Sequence, residues 1–351
     1  MTQIDPPRLR RGWTTGACAS AALKAALELF WTGSAPVSVR ITLPKGETPV
    51  FAVADHAAGD GWAEASIIKD AGDDPDVTHG VRVNVRVSRG DALAFHAGEG
   101  VGVVTKPGLP VAVGEPAINP VPRQMMQDIV AQMAGLHGQN PDLAITVSIP
   151  GGAEIAQKTW NPRLGIEGGL SILGTTGIVR PFSCAAWIAS IHRGIDVARA
   201  SGLAHVAGCT GATSERVVQE MYALPDHAML DMGDFAGGLL KYLAKHPVGR
   251  ITIGGGIGKM TKLAQGARDL HSGRSQVDFE ALSDWAKGAG LPDISQVNTA
   301  LEAVETAGDP LAEIVAQNAQ THVAKMLAGS GVVADTVVIN RAGRVLAVCT
   351  P

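Results

Sequence analysis

The sequence has few cysteines, no basic excess and no long apolar run, and each of these features excludes a class of protein. Its four cysteines lie far apart and form no C-x-x-C pair, so neither a protein-bound metal nor a disulfide framework is predicted. The formal net charge of −4 argues against a nucleic-acid-binding protein. The segment MTQIDPPRLRRGW lacks the apolar core of a signal peptide, and no uncharged apolar run reaches membrane-spanning length. We therefore expect a cytoplasmic protein that binds neither nucleic acid nor membranes.

The length and the hydrophobic patterning predict a two-domain α/β protein. With 351 residues, 46% of them hydrophobic, the chain is long enough for about two domains. Strand-like alternation between residues 37 and 104 predicts an α+β domain, 1–150, with a mixed or antiparallel sheet. Short strands that alternate with helices predict a Rossmann-like domain, 151–351, doubly wound around a mostly parallel sheet and ending in helices and a hairpin. The strands of this second domain are predicted at 170–173, 203–207, 227–231, 249–253, 335–340 and 343–349.

Glycine-rich turns follow the predicted strands of the second domain, where doubly wound sheets bind their ligands. The turn residues assigned to a cofactor are Gly174, Thr175, Gly177, Gly208, Gly211, Gly254, Gly256 and Gly258. Two phosphate-binding motifs fail here, because Met260 stands where a P-loop needs Ser or Thr, and Lys259 stands where G-x-G-x-x-G needs its third glycine. Asp231 lies twenty residues after Gly211 (231 − 211), which is typical of a ribose-binding acid. The alternative role for Asp231 is a helix N-cap.

The loop 69–80 is acidic, with four aspartates within seven residues. It lacks the glycine and the closing glutamate of a calcium-binding loop. So many like charges destabilise a loop unless a partner relieves them, and His79 adds a group that titrates near neutrality. The pattern therefore favours a catalytic role for Asp73, Asp74 and His79 as much as it favours a solvated turn.

Seven long motifs in a fixed order carry a resemblance to a known family. They are GWTTGACASAALKAA (12–26), IKDAGDDPDVTHG (68–80), GEGVGVVTKPGL (98–109), GEPAINPVPR (114–123), IPGG (149–152), NPRLGIEGGLSILGTTGIVRP (161–181) and GGGIGKMTKLAQG (254–266). On these motifs the chain resembles the CbiD family, the cobalt-precorrin-5B C(1)-methyltransferases of corrin biosynthesis. The similarity is weaker at 234–241 and 271–282.

The resemblance implies an S-adenosylmethionine-dependent methyltransferase that converts (cobalt-)precorrin-5B to (cobalt-)precorrin-6A by methylation at C1. Its donor is an adenosine ligand without phosphates, in keeping with the failed phosphate motifs. Its acceptor is a polyanionic tetrapyrrole, for which the family-like segments supply the basic residues Lys106, Arg123, Arg163 and Arg180. The acidic loop would accept from pyrrole N–H groups, hold the donor's ammonium group or take up a proton. Direct displacement at the sulfonium requires no covalent intermediate, so catalysis would rest on positioning.

Two other functions stay open at this point. A nicotinamide-dependent oxidoreductase of the same pathway is suggested by the alternating strands and helices together with Asp231, and it predicts NAD(P)H binding. A non-catalytic tetrapyrrole-binding protein would bind the macrocycle and be indifferent to S-adenosylmethionine. Calorimetric titration with S-adenosylhomocysteine separates the methyltransferase from the other two hypotheses, because only the methyltransferase predicts binding.

Overall fold

The computed structural model of the chain describes residues 9–351, so the first eight residues of the segment tested for a signal peptide lie outside it. The described residues form two compact units, unit 1 up to Ser183 and unit 2 from Cys184 to Pro351. The predicted boundary near residue 150 therefore falls inside unit 1. Strand pairing explains the difference, because Ile166–Glu167 pairs with Val103–Val104, and Ile178–Val179 pairs with Gly12–Trp13.

Unit 1 is built around a five-stranded mixed sheet. Its strands are β1 (Gly12–Trp13), β2 (Ser38–Arg40), β3 (Val50–Ala52), β4 (Asp55–Gly59), β5 (Trp62–Ile68), β6 (Arg82–Arg89), β7 (Ala94–Ala97), β8 (Val103–Val104), β9 (Leu143–Ser148), β10 (Ile166–Glu167) and β11 (Ile178–Val179). Its helices are α1 (Thr15–Thr32), α2 (Pro120–His137) and α3 (Gly152–Ala156). The main sheet has the order β4-β5-β6-β9-β7, and its strands pair antiparallel except β7 with β9.

The two faces of the main sheet differ as the alternation in β6 predicts. The β6 residues that face the core, next to the almost wholly buried α1, are Val83, Val85 and Val87. On the other face Arg82 pairs with Asp55 at 2.9 Å and Arg86 pairs with Glu64 at 3.0 Å. This basic row is therefore a solvated sheet face whose charges are neutralised within the sheet.

Unit 2 contains a four-stranded sheet with helices on both faces. Its strands are β12 (His205–Cys209), β13 (Arg250–Gly256), β14 (Val333–Ile339) and β15 (Val345–Cys349). Its helices are α4 (Cys184–Ala200), α5 (Ala212–Tyr222), α6 (Ala236–Leu243), α7 (Ile257–Ala264), α8 (Phe279–Gly288), α9 (Ala300–Ala307) and α10 (Asp309–Met326), with a 3₁₀ turn at Asp226–Ala228. Strands β12, β13 and β14 are parallel, and β15 returns antiparallel beside β14 as the predicted hairpin.

Side chains of this sheet alternate between two apolar clusters, because successive residues of a strand point to opposite faces. Ala207 and Val337 pack on the face covered by Val217 and its neighbours in α5. Residues such as Ile251 lie in the larger cluster on the other face, with α4, α6, α7 and α10. After β12 the chain first runs along one edge of that strand, where Met229 forms a parallel bridge to Ala207. It then crosses to the opposite edge of β12, where β13 pairs with it. The strand order therefore reverses between β12 and β13.

Two strands predicted for the second domain are wrong. Residues 170–173 belong to unit 1, where Leu170 and Ile172 form single bridges to other loops of that unit. Residues 227–231 contain the end of the 3₁₀ turn and a single bridge at Met229, and Asp231 has a positive φ of 33°, outside the range of a strand. Within residues 9–351 no helix is both long enough and apolar enough to cross a bilayer. The cytoplasmic location stays a prediction.

Candidate functional site

The acidic loop finds partners for its charges within unit 1. The Arg10 guanidinium donates to both carboxylate oxygens of Asp70 and thereby lowers the pKa of that carboxyl to about 2. The backbone N–H of Arg10 donates to Asp73 at 2.6 Å. Asp74 accepts from the backbone N–H of Phe182 at 2.8 Å. Each of these contacts relieves negative charge without a ligand.

A buried lysine holds the remaining charge of the loop, and a histidine makes a further contact to its backbone. The Lys69 side chain is only 2% exposed, and its ammonium lies 2.6 Å from Asp76. His79 is exposed, and its Nδ1 lies 3.1 Å from the backbone nitrogen of Ala71, which donates to it. The neutral ring therefore carries its proton on Nε2. The like-charge argument for a ligand at this loop is thus removed, and the roles of Asp73, Asp74 and His79 stay predictions.

Two of the four predicted substrate-binding cations lie together in the loops of unit 1. Lys106 packs its stem over Gly165, since a Cβ on that glycine would lie 2.4 Å from the lysine Cγ. Arg163 precedes Gly165 by two residues in the sequence, and its guanidinium lies 5.4 Å from the Trp160 ring centroid. The Thr105 N–H donates to the Gly165 carbonyl at 2.7 Å and holds the two loops together. Lys106 makes no ion pair with any residue that the structure describes.

The other two predicted cations have different surroundings. Arg123 lies 3.3 Å from a Glu115 carboxylate oxygen and 5.3 Å from the Phe95 ring centroid, so its charge is already compensated. Arg180 is exposed immediately after β11. The loops that carry Lys106 and Arg163 are therefore neighbours, and Arg123 has Glu115 as a structural partner.

The three predicted cofactor residues at 174–177 lie in unit 1 rather than after a strand of the unit 2 sheet. Gly174 has φ 129°, and a Cβ there would lie 2.3 Å from the Thr14 hydroxyl. Gly177 has φ 79°, and a Cβ there would lie 2.6 Å from Leu43. Thr175 between them is exposed. Backbone conformation and packing explain both glycines.

Two of the predicted glycines in unit 2 are packing positions inside strands. A Cβ on Gly208 in β12 would lie 2.7 Å from Leu239, and a Cβ on Gly254 in β13 would lie 2.6 Å from Val218. These glycines allow the helices on the two faces to approach the sheet closely. Their backbone is covered, so neither provides a surface for a ligand.

Three other glycines of unit 2 face open space where the strands end. Apart from the glycine itself, its chain neighbours and the nearby backbone of its own helix, no described atom lies within 4 Å of a Cβ built on Gly211 or Gly258, and the nearest such atom to one on Gly256 is 3.9 Å away. Gly211 is the N-cap of α5 and Gly256 is the N-cap of α7. Both helices therefore begin at the carboxyl ends of β12 and β13, where the strand order reverses. Ligands bind at this position in open α/β sheets.

Asp231 lies beside the carboxyl end of β12. Gly233, two residues later, donates its N–H to the Cys209 carbonyl at 3.0 Å and fixes this segment against the strand. Asp231 has a φ of 33°, a conformation that residues other than glycine rarely adopt. The N-cap alternative is wrong, because the N-cap of α6 is Phe235.

Sequence reasoning missed two residues at this end of the sheet. Lys259 donates to the Thr210 carbonyl at 3.1 Å and lies 2.8 Å from Asp234, so it ties α7 to β12 and to the segment after Asp231. Trp187 of α4 donates its indole N–H to the Asp231 carbonyl at 3.0 Å. In the sequence Lys259 appeared only as the residue that breaks a phosphate motif. A tryptophan near the start of a helix carries no signal by itself.

The chemistry available at this end of the sheet is that of ligand positioning. It combines backbone N–H groups at two helix ends, a carboxylate and an aromatic ring. Burial raises the pKa of the Cys209 thiol to about 12, and the pKa of Cys18 in unit 1 is raised equally, so neither supplies a thiolate. Residues 9–351 contain no group of three His, Cys, Asp or Glu side chains arranged to hold a metal ion.

A cleft in unit 1 lies away from these residues. It measures about 520 Å³ and runs between residues 42–44 and α2 in unit 1. Its lining is mainly apolar, with Asp128 as its charged member, and none of the predicted site residues borders it. A negative charge and the absence of cations from this lining fit a polyanionic ligand poorly.

Comparisons with known proteins cover nearly the whole chain. A family model described as CbiD matches residues 2–181, and one described as CbiD, C-terminal domain, matches residues 269–350. The chain is 57% identical to the cobalt-precorrin-5B C(1)-methyltransferase of Brucella anthropi, over 98% of this chain and 96% of that protein. It is 55% identical to the protein of the same name from Paramagnetospirillum magneticum, over 97% and 98% of the two chains. The crystal structure of a cobalamin biosynthesis protein (cbiD) from Archaeoglobus fulgidus is similar at 26% identity, over 80% of this chain and 85% of that one, with a TM-score of 0.43.

Proposed function

Because this chain belongs to the CbiD family, we propose that it transfers a methyl group from S-adenosylmethionine to C1 of cobalt-precorrin-5B and forms cobalt-precorrin-6A in cobalamin biosynthesis. The observation that carries this proposal is identity of 55% or more, over almost the full length of both chains, to two proteins named for that reaction. The finer assignments that follow rest on the geometry of each unit taken by itself.

The methyl donor is assigned to unit 2, which we take to be a Rossmann-like, doubly wound domain. Three parallel strands, helices on both faces and the reversal of strand order support this assignment. In this assignment Asp231 accepts hydrogen bonds from the ribose hydroxyls. The amides that follow Gly211 and Gly256 lie at helix N-termini, which attract the methionyl carboxylate. Gly258 leaves room for the ligand beside α7.

The tetrapyrrole acceptor is assigned to the cations of unit 1. Its carboxylates suit the ammonium of Lys106 and the guanidinium of Arg163, which lie in one pair of loops. Arg180 is a further exposed cation, and Arg123 would first have to release Glu115. In the acidic loop Asp73 and Asp74 already accept backbone N–H groups. A carboxylate can accept more than one hydrogen bond, so Asp73 and Asp74 stay candidates for the acceptor's N–H groups, and Nε2–H of His79 is assigned as a donor to the acceptor.

The reaction needs little from the protein beyond placement. An electron pair of the macrocycle forms the new C1–CH₃ bond while the S–CH₃ bond breaks, and the pair of that bond stays on sulfur in S-adenosylhomocysteine. Holding the two reactants in line for this displacement can supply several kcal/mol of the barrier reduction. A nucleophilic side chain is not required, in keeping with the buried state of Cys18 and Cys209.

The test is calorimetric titration with S-adenosylhomocysteine, followed by steady-state kinetics of Asp231→Ala with labelled donor. Loss of one hydrogen bond to a charged group costs about 1.5–3 kcal/mol, so the donor KM should rise roughly 10- to 150-fold with a smaller change in kcat. Asp284→Ala, an exposed aspartate on α8, is the matched control and should leave the donor KM unchanged.

Two results would refute the proposal. Tight binding of NAD(P)H, without binding of S-adenosylhomocysteine, would favour the oxidoreductase. Binding of the macrocycle alone, with no methyl transfer from labelled donor, would favour a tetrapyrrole-binding protein. An unchanged donor KM in Asp231→Ala would instead move the donor away from this end of the sheet.

A further inference from the structure

An exposed tryptophan lies beside the proposed ribose-binding aspartate. Trp187 is the fourth residue of α4, and 47% of its surface is exposed. Its only hydrogen-bond donor, the indole N–H, is used by the backbone carbonyl of Asp231 at 3.0 Å. The ring is therefore fixed next to the aspartate although a large part of it is open to solvent.

One part of the indole is supported from within unit 2. A Cβ on Gly233 would lie 3.4 Å from the ring, which is an ordinary van der Waals distance, so the chain at Gly233 packs against the indole. The Phe235 ring centroid lies 6.1 Å from that of Trp187, with the planes tilted by 55°. These contacts hold the ring in place, and its remaining surface can receive a planar ligand.

The same contact constrains the backbone that carries the aspartate. Asp231 has φ 33° and Gly233 has φ 55°, so two positive φ values occur within three residues. A non-glycine residue keeps such a conformation only when its surroundings impose it, and these conformations cluster at ligand sites. The indole N–H satisfies the Asp231 carbonyl in this conformation, while the Gly233 N–H is held by Cys209.

We propose that Trp187 stacks on the adenine of the methyl donor and positions Asp231 for the ribose. The inference rests on the proposed function, because it requires an adenosine ligand in unit 2. Adenine and ribose are joined directly, so a stacking surface and a ribose-binding carboxylate must be neighbours, as the indole and Asp231 are. Aromatic stacking on a base does not depend on phosphates, in keeping with the failed phosphate motifs.

The test measures dissociation constants of S-adenosylhomocysteine and 5′-methylthioadenosine for the wild type, Trp187→Phe, Trp187→Ala and Asp231→Ala. Loss of stacking in Trp187→Ala should raise both constants by about 5- to 150-fold and by the same factor, since both ligands carry the adenine. Trp187→Phe keeps a ring and should weaken both ligands less than about fivefold. Trp285→Phe, a half-buried tryptophan of α8, is the control for an unrelated indole and should change neither constant.

Two further readouts separate a binding role from a merely structural one. Ligand-induced change in tryptophan fluorescence should disappear in Trp187→Phe and persist in Trp285→Phe. Because Trp187→Phe removes the N–H that holds Asp231, the Asp231→Ala change should cost less affinity in combination with Trp187→Phe than in the wild type. Neither readout requires the Trp187→Ala variant, so both can be measured even if that variant does not fold. Circular dichroism shows whether it folds.

The outcomes distinguish this inference from the proposed function. Unchanged affinity in Trp187→Ala, together with weaker binding in Asp231→Ala, would refute adenine stacking and leave the donor site in place. A fluorescence change that persists in Trp187→Phe would refute it equally. If wild-type protein does not bind S-adenosylhomocysteine, or if Asp231→Ala binds it normally, the donor assignment itself fails.

Discussion

The change Asp76→Asn should destabilise unit 1 strongly, because it leaves a buried ammonium without its counter-charge. Lys69 is 2% exposed and lies 2.6 Å from Asp76, whose own side chain is 24% exposed. Breaking a buried ion pair by removing one partner costs about 3–5 kcal/mol. Since water still reaches Asp76, we expect the lower end, about 3 kcal/mol. For a unit of this size that loss lowers the melting temperature by about 6–12 °C.

The assay is thermal and urea unfolding of the wild type and of Asp76→Asn, followed by circular dichroism. Asp55→Asn is the matched control, because Asp55 is 63% exposed in its pair with Arg82 on the solvated sheet face. An exposed pair contributes about 0–1 kcal/mol. A loss below about 1 kcal/mol in Asp76→Asn would contradict the reasoning and would mean that the Lys69 ammonium reaches water in the variant.

The pH dependence of this pair has a definite sign. Burial acts to raise the pKa of Asp76, but Lys69 and Thr78 more than offset it, so its folded pKa is lowered. A lowered folded pKa contributes stability above the unfolded value of about 3.9, and that stability is lost as the pH falls through the folded pKa. Wild-type protein should therefore lose stability below about pH 4, and Asp76→Asn should show a flatter acid limb. Equal acid limbs in the two proteins would contradict this.

Three further predictions concern two glycines and the acceptor site. Gly254→Val should destabilise unit 2 by about 1–3 kcal/mol, because its Cβ meets Val218 at 2.6 Å. Gly256→Val should fold normally yet bind S-adenosylhomocysteine about tenfold more weakly, by calorimetry. Normal donor binding by folded Gly256→Val would contradict the open-glycine assignment. Lys106→Ala should raise the acceptor KM about tenfold with the donor KM unchanged, whereas Arg89→Ala, an exposed control, should change neither. Equal effects of the two cations would mean that charge alone matters.

Local patterns in the sequence predicted much of the fold. Alternation in β6 placed valines in the core and arginines on the solvated face, because the side-chain period of a strand is two. Strands alternating with helices predicted the parallel sheet of unit 2, and the last two strands predicted its hairpin. The order of the glycine-rich motifs was enough to indicate the family, which the comparisons confirm.

Pairings between distant residues decided what local patterns could not. Leu170 bridges to Val101 in unit 1, so the segment that looked like the first strand of the second domain belongs to the first. The negative charge of the acidic loop seemed to lack partners in the sequence, because those partners are distant. Arg10 lies 60 residues before Asp70, and Phe182 lies 108 residues after Asp74. Counting charges in the sequence gives only their local density, whereas the free energy of a charged group depends on the groups around it in the folded protein.

The glycines show the same division between sequence and tertiary structure. Gly254 and Gly256 stand two residues apart in one motif, and nothing local distinguishes them. In the folded protein Gly254 packs against Val218, whereas Gly256 has open space beside it at the N-terminus of α7. Asp231 could be chosen from its spacing alone, but only the folded chain placed Trp187 against it across 44 residues. The sequence therefore determined which residues were available, and close approach in the folded protein determined which of them can meet a ligand.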